Sequence, residues 1–265
     1  MALKVMNAVL TGGDPAEHGQ KKRDKKFKEK KRMKTWKEVQ KMEASMERKQ
    51  KVNLGVLKQE TKPQTVAITN TDSNSVANVV TEVFNPSLRT FKGETPYVAV
   101  DCEMVGVENN NDALARVSIV NYNGHVLYDK YVRPSSYITD FRTWVSGITP
   151  AQLKESNGAI TFEQAKKESH RILKDKVIVG HSLHHDFKAL DYPMEDGENK
   201  RIRDLSHYPK YKNNIGQTRS LKKLTADFLG REIQQGQHNS VIDARASIAL
   251  YRINEKDWEN YAKQR

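Results

Sequence analysis

Tyr97-Val98-Ala99-Val100 is an apolar, mostly β-favouring run that leads directly into the alternation Asp101-Cys102-Glu103-Met104. Such a pattern predicts a buried strand that ends by delivering acids to one face. After a polar turn at residues 108–112, the stretch from Arg116 to Tyr122 reads as a second strand. Asn123-Gly124 is a two-residue hairpin signal, and a third strand follows from His125 to Val132, stopped at Pro134. These three strands are expected to form an antiparallel meander. Beyond it the period changes. Residues 146–150 read as a loop, with Pro150 opening a short helix to about Glu155. Thr161-x-x-Gln164 has the form of a capping box and starts a helix to about Leu173. Val177 to Gly180 is a short, wholly apolar strand of the buried parallel kind, followed by a helix from near His184. Ile202 to Leu205 reads as a last strand, Leu221 to Leu229 as a helix stopped by Gly230, and Ser240 to about Ile253 as the final helix. A meander followed by strand–helix alternation predicts an α/β layered domain with a mixed sheet.

Upstream the pattern fades. Residues 1–20 carry a turn-rich break at Thr11 to Pro15, and residues 21–34 hold ten basic side chains in fourteen. A block of that kind is solvated when free and serves as an import signal or a nucleic-acid clamp. Residues 35–51 offer a thin stripe of Trp36, Val39 and Met42 or Met46, which suggests a helix formed on a protein partner. Residues 60–90, rich in Thr, Asn and Ser, read as a linker. The expected organisation is a basic, largely disordered arm and linker at 1–92, a catalytic domain at 93–257 and a tail at 258–265. Charge follows this division: residues 1–90 hold 19 Lys+Arg against 10 Asp+Glu, whereas residues 91–265 hold 26 against 23. A basic arm on a nearly neutral body points to an anionic partner such as nucleic acid. The single cysteine, Cys102, excludes an intramolecular disulfide and fits a reducing compartment. No apolar run approaches the roughly 18 residues of a membrane span, and the first ten residues lack a signal-peptide core. A soluble intracellular protein is expected, acting without a membrane and as a monomer.

On a strand, the i, i+2 spacing of Asp101 and Glu103 puts both carboxylates on one face, about 7 Å apart. Two anions at the end of a buried strand need a cation between them, and hard oxygens suit magnesium or manganese. The bland alternative is a strand that ends in polar residues at the surface. Asp186, in His181-Ser-Leu-His-His-Asp186, follows an apolar strand at the end where open α/β sheets place ligands. Taken by itself it reads first as a first-turn acid that stabilises a helix N-terminus. Asp243 closes His238-Asn-Ser-Val-Ile-Asp243, and Ser240-x-x-Asp243 has the form of a second capping box. His238 lies five residues earlier; on one helix the two would point about 140° apart. If they act together, His238 must sit on the loop before the helix, where its titration range suits a general base.

Taken in order, Asp101-x-Glu103, Asp186 and His238-x₄-Asp243 resemble the DEDD superfamily of 3′→5′ exonucleases in its histidine subclass. The segments Val100 to Gly106, Arg116 to Val120, Tyr131 to Pro134, Thr139 to Ile148 and Val179 to His181 are similar to the eukaryotic RNA exonuclease 4 subfamily. Ile242 departs from that pattern, standing where relatives often carry an acid. The resemblance implies a ribonuclease-H-like fold, a nuclear or nucleolar location, and 3′→5′ processing of ribosomal RNA precursors with release of nucleoside 5′-monophosphates. Four carboxylates bring −4, which two Mg²⁺ ions (or Mn²⁺ in their place) neutralise in a two-metal site. Asp101, Glu103, Asp186 and Asp243 are the expected ligands, with His238 as base. Glu103 is expected to accept from the terminal 3′ hydroxyl, and Met104 to pack against the last base. Arg116, Lys188, Arg203, Arg219, Lys222 and Lys223 are candidates for phosphate contacts, each with solvated surface as the alternative. Two rival readings stay open: an RNA-binding ribosome-assembly factor with a vestigial site, and a DNA 3′→5′ exonuclease.

Overall fold

In this computed structural model the described residues are 73–87, 90–108, 111–193 and 198–264. The basic block at 21–34 and the partner-dependent helix expected at 35–51 lie outside them. Elements run α1 (Ser73–Phe84), β1 (Tyr97–Val107), β2 (Asp112–Asn121), β3 (Val126–Arg133), β4 (Ile138–Asp140), α2 (Thr143–Ser146), β5 (Ile160–Thr161) and α3 (Phe162–Leu173). They continue with β6 (Val177–Gly180), α4 (His184–Ala189), β7 (Ile202–Asp204), α5 (Leu221–Leu229), α6 (Ser240–Ile253) and α7 (Glu255–Ala262).

Seven strands make one sheet in the order β5-β3-β2-β1-β6-β7, with β4 added to the far end of β1. The meander is antiparallel, and β6 runs parallel to both β1 and β7. Alternation along β1 divides the core in two. Val98, Val100 and Cys102 face α3 and α4 with Ile119, Ile172, Ile178 and Phe187. Ala99 faces the other layer with Val120, Val179 and the buried residues of α1, α5 and α6. Asp101 and Glu103 continue that second face, so they point toward α6. Among the described residues no helix is long and apolar enough to cross a membrane.

Local chemistry explains most of these elements. Thr161 Oγ1 accepts from Gln164 N–H while Gln164 Oε1 accepts from Thr161 N–H, the reciprocal box expected there. α5 ends at Gly230, as read from the sequence. Four expectations fail. The stretch expected as a linker contains α1, whose Val83 and Phe84 are fully buried. Gly124, at φ 82, lies so close to Val83 that any side chain there would strike its carbonyl, which fixes α1 on the β2–β3 turn. That turn is a four-residue connection, residues 122–125, with Gly124 alone at positive φ and a register shift at Ile119/Val120. Pro150 opens turns, and helical residues appear as α2 before it and as one 3₁₀ turn after it, Glu155–Asn157. Finally, Trp258, read as tail, is buried on α7, where its ring stacks on Tyr208 at 4.0 Å between centroids.

Candidate active site

Asp101 and Glu103 stand opposite Ser118 and Arg116 on β2, and the ladder slips immediately afterwards, between Glu103 and Met104. A bulge there turns the strand and re-aims its side chains at the point where the acids leave the core. Asp243 comes from the first turn of α6. Ligand oxygens of Asp101, Glu103 and Asp243 lie within 4.8 Å of one another. Glu103 and Asp243 are buried, and Asp101 is half-buried.

Asp243 does not cap its helix. Asn239 is the N-cap, its side chain accepting from Val241 N–H at 3.1 Å, and Ser240 is buried with its hydroxyl on Ser118 Oγ at 2.7 Å. The second capping box read from the sequence is therefore absent, and Asp243 is released for the site. Its Oδ2 accepts from Gln234 Nε2 at 2.9 Å, while its Oδ1 and Glu103 Oε1 are buried with no hydrogen-bond partner. Burial alone makes such oxygens costly.

Asp186 joins from α4. Its Oδ1 accepts from the backbone N–H of Cys102 at 2.8 Å, which ties it to the back of β1 and leaves it beside the three-acid group rather than within it. The turn that delivers it is held by Asp204. That buried carboxylate accepts from the N–H groups of Ser182, Leu183 and Ser206 at 2.8, 2.9 and 2.9 Å. Ser182 sits at φ 61, and Gly180 leaves room for Leu183, which a Cβ would overlap.

These surroundings act on the acids in one direction. Burial pushes Glu103 up to about 8, with the Asp243 charge adding to it. Burial takes Asp186 to about 7 against the lowering influence of the Cys102 N–H, and Asp243 to about 6 against that of Gln234. Asp101 is raised well above the usual carboxylate range by burial and by the charges of Asp243, Asp186 and Glu103. Four acids whose ionised forms oppose one another are a site awaiting positive charge. The orphaned oxygens and the hard donor set fit a divalent cation.

His238 lies on the loop before α6, as the spacing required. Its N–H donates to Val145 of α2 at 2.6 Å, and its Nδ1 stands 3.9 Å from Asp243 Oδ2. Partial burial and the Lys222 charge hold its pKa below the ordinary histidine value, so its ring is neutral near pH 7.

The basic candidates divide sharply. Arg116 is clamped by Asp129 through two bonds of 2.8 and 2.9 Å. Arg203 is buried in a two-pronged pair with Glu259, at 2.8 Å on both prongs. Arg219 pairs with Asp227 and lies over the Phe228 ring. Each has a carboxylate where phosphate was expected. Lys222 Nζ donates to the Gln234 carbonyl at 2.9 Å, and Lys223 lies 3.6 Å from Asp227. Lys188 is exposed on α4, and Met104 is a half-buried residue packed against the core. Sequence reading missed Gln234 and Asp204. Both are polar residues in loop or strand-end positions, and only their buried partners mark them.

A layered mixed sheet with acids converging at the end of its central strand defines a nuclease of the ribonuclease-H-like fold. The exonuclease family model, RNase T, matches residues 98–251, and the chain belongs to that family. Within it the likeness is to RNA exonuclease 4. The Debaryomyces hansenii protein of that name is 47% identical over 168 residues, covering 62% of this chain and 59% of that protein. The human one is 42% identical over 182 residues, covering 67% of this chain and 41% of that protein. The chain thus matches less than two thirds of the length of each, and it falls in the DEDD class and the RNA exonuclease 4 subfamily. Among solved structures, the Saccharomyces cerevisiae Pan2 pseudoubiquitin hydrolase–RNA exonuclease module in complex with AAGGA RNA superposes with a TM-score of 0.54. It is 26% identical, covering 67% of this chain and 32% of that one.

Proposed function

We propose that this protein is a metal-dependent 3′→5′ exoribonuclease that releases nucleoside 5′-monophosphates, acting on ribosomal RNA precursors in the nucleus and nucleolus. The observation that carries the reading is the convergence of Asp101, Glu103 and Asp243, with buried, unpartnered oxygens on Glu103 and Asp243. A fold that used these acids only for structure would have paired them, as it pairs Glu259 and Asp129. The names of the relatives and the RNA bound to the Pan2 module favour RNA over DNA. The excess of basic residues in the first 90 positions fits the same partner.

Asp101, Glu103 and Asp243, with Asp186 beside them, would hold two Mg²⁺ or Mn²⁺ ions, whose chemistry is Lewis-acid polarisation of the phosphodiester and of the attacking water. His238, whose Nδ1 stands 3.9 Å from Asp243 Oδ2, would serve as the base that accepts the proton of the attacking water. Its depressed pKa keeps the acceptor free at neutral pH. Asp186 holds β1 in register with the site through the Cys102 N–H. Glu103 accepts from the terminal 3′ hydroxyl, which selects a free end.

Incubation of the full chain with Mg²⁺ and matched 5′-labelled RNA and DNA tests the reading. Progressive shortening of RNA from its 3′ end, blocked by a 3′ phosphate and by EDTA, is the expected result. Faster digestion of DNA would reassign the substrate. Binding of RNA without any metal-dependent hydrolysis would mark the site as vestigial.

A further inference from the structure

The two oxygens of Asp243 have opposite surroundings: Oδ2 accepts from Gln234 Nε2 at 2.9 Å, and Oδ1 is buried and bare. Gln234 belongs to the loop between α5 and α6, not to the helix that carries Asp243. Its backbone is left-handed, at φ 55, a conformation that strains a non-glycine residue and persists only where neighbours enforce it. The enforcement is visible. Lys222 Nζ reaches from α5 to the Gln234 carbonyl at 2.9 Å, and farther along the same loop the His238 N–H is fixed on Val145.

We propose that Gln234 is a positioning residue for cation binding: its amide occupies Oδ2, so that Asp243 presents Oδ1 alone to the cation shared with Asp101 and Glu103. The proposal rests on the cation-site reading above. An amide suits the task because it donates without carrying charge. Lysine or arginine in its place would orient the carboxylate but cancel the negative charge that draws the metal. The same contact explains why Lys222 is directed to a carbonyl on the loop: it secures the donor from behind.

Two variants of the full chain separate the side chain from the backbone. Gln234→Leu keeps the bulk and removes the donor; Gln234→Gly also removes the donor but relieves the left-handed strain, so a loop-stability effect would run the other way. Mn²⁺ binding is read without RNA, from the electron paramagnetic resonance signal of free Mn²⁺, beside hydrolysis at increasing Mg²⁺. Both variants should bind Mn²⁺ about 10–100-fold more weakly, the usual range for residues that orient a metal ligand. Turnover should return toward wild type at saturating Mg²⁺, and RNA affinity in EDTA should be unchanged. Wild-type Mn²⁺ affinity in either variant overturns the proposal. Asp243→Asn serves as the control: if it too binds Mn²⁺ like wild type, the cation-site reading itself fails.

Discussion

Two groups of carboxylates in this domain meet opposite treatment. At the β7–α7 edge, Glu259 meets the buried Arg203 through two short bonds and also accepts from Tyr251 Oη at 2.8 Å. Hydrogen bonds from Arg203 hold its pKa below the usual value. At the end of β1, Asp101, Glu103, Asp186 and Asp243 crowd together, and burial raises all four. Arg116, whose charge reaches Asp101 and Glu103, is already committed to Asp129. The first arrangement is complete as it stands and holds the fold. The second is complete only with charge brought from outside. Pairing, more than burial, is what separates a structural carboxylate from a functional one here.

The contrast is sharpest under mutation. Asp101→Ala or Asp243→Ala should reduce hydrolysis by roughly 10³-fold or more, since several kcal/mol of transition-state stabilisation depend on the cations they hold. Circular dichroism should show the fold intact. His238→Ala should slow single-turnover cleavage by about 10²–10⁴-fold while leaving Mn²⁺ affinity nearly unchanged. A rate restored to wild type by excess magnesium would remove His238 from the chemistry. Glu259→Ala should do the reverse, costing about 3 kcal/mol of stability in denaturant titration by stranding Arg203, with kcat unchanged below the melting temperature. The smallest effect is expected from deleting residues 1–60, which carry 17 Lys+Arg against 8 Asp+Glu. RNA affinity should fall, and each lost phosphate contact should reduce the log–log salt slope by roughly 0.7. Turnover of saturating short RNA should survive.

Much of this was legible in the residues, and the failures have physical causes. Strand periodicity placed Asp101 and Glu103 on one face, and the five-residue gap placed His238 on a loop. Both are local facts of backbone geometry. α1 was hidden by its surroundings: residues 60–90 are rich in Ser, Asn and Thr, yet Val76, Val79, Val80, Val83 and Phe84 form an i, i+3, i+4, i+7, i+8 stripe. Ser240 had capping chemistry, but a buried partner on β2, Ser118, claimed its hydroxyl. Among the basic candidates the sequence shows charge but not its partner. Arg116, Arg203 and Arg219 lie 13, 56 and 8 positions from their carboxylates, and only the fold brings Arg203 to Glu259. Gln234 carried no signal of its own, because an amide becomes informative only once it is seen to touch Asp243.

The central claim is that the acids at the end of β1 form a cation site, and thermal unfolding as a function of pH, with and without Mg²⁺, tests it most directly. Folding raises these pKa values, so the stability they contribute is fully present below about pH 4, where the unfolded carboxylates also titrate. It is lost as pH rises through about 6, 7 and 8 for Asp243, Asp186 and Glu103. In EDTA, wild type should therefore melt progressively lower between pH 5 and pH 8, and Asp243→Asn should show a shallower fall. Mg²⁺ at about 100 times its Kd should add about 2.7 kcal/mol at pH 8, less at pH 5, and little to Asp243→Asn. A wild-type melting temperature at pH 8 that ignores Mg²⁺, with the same pH slope as Asp243→Asn, would contradict the account.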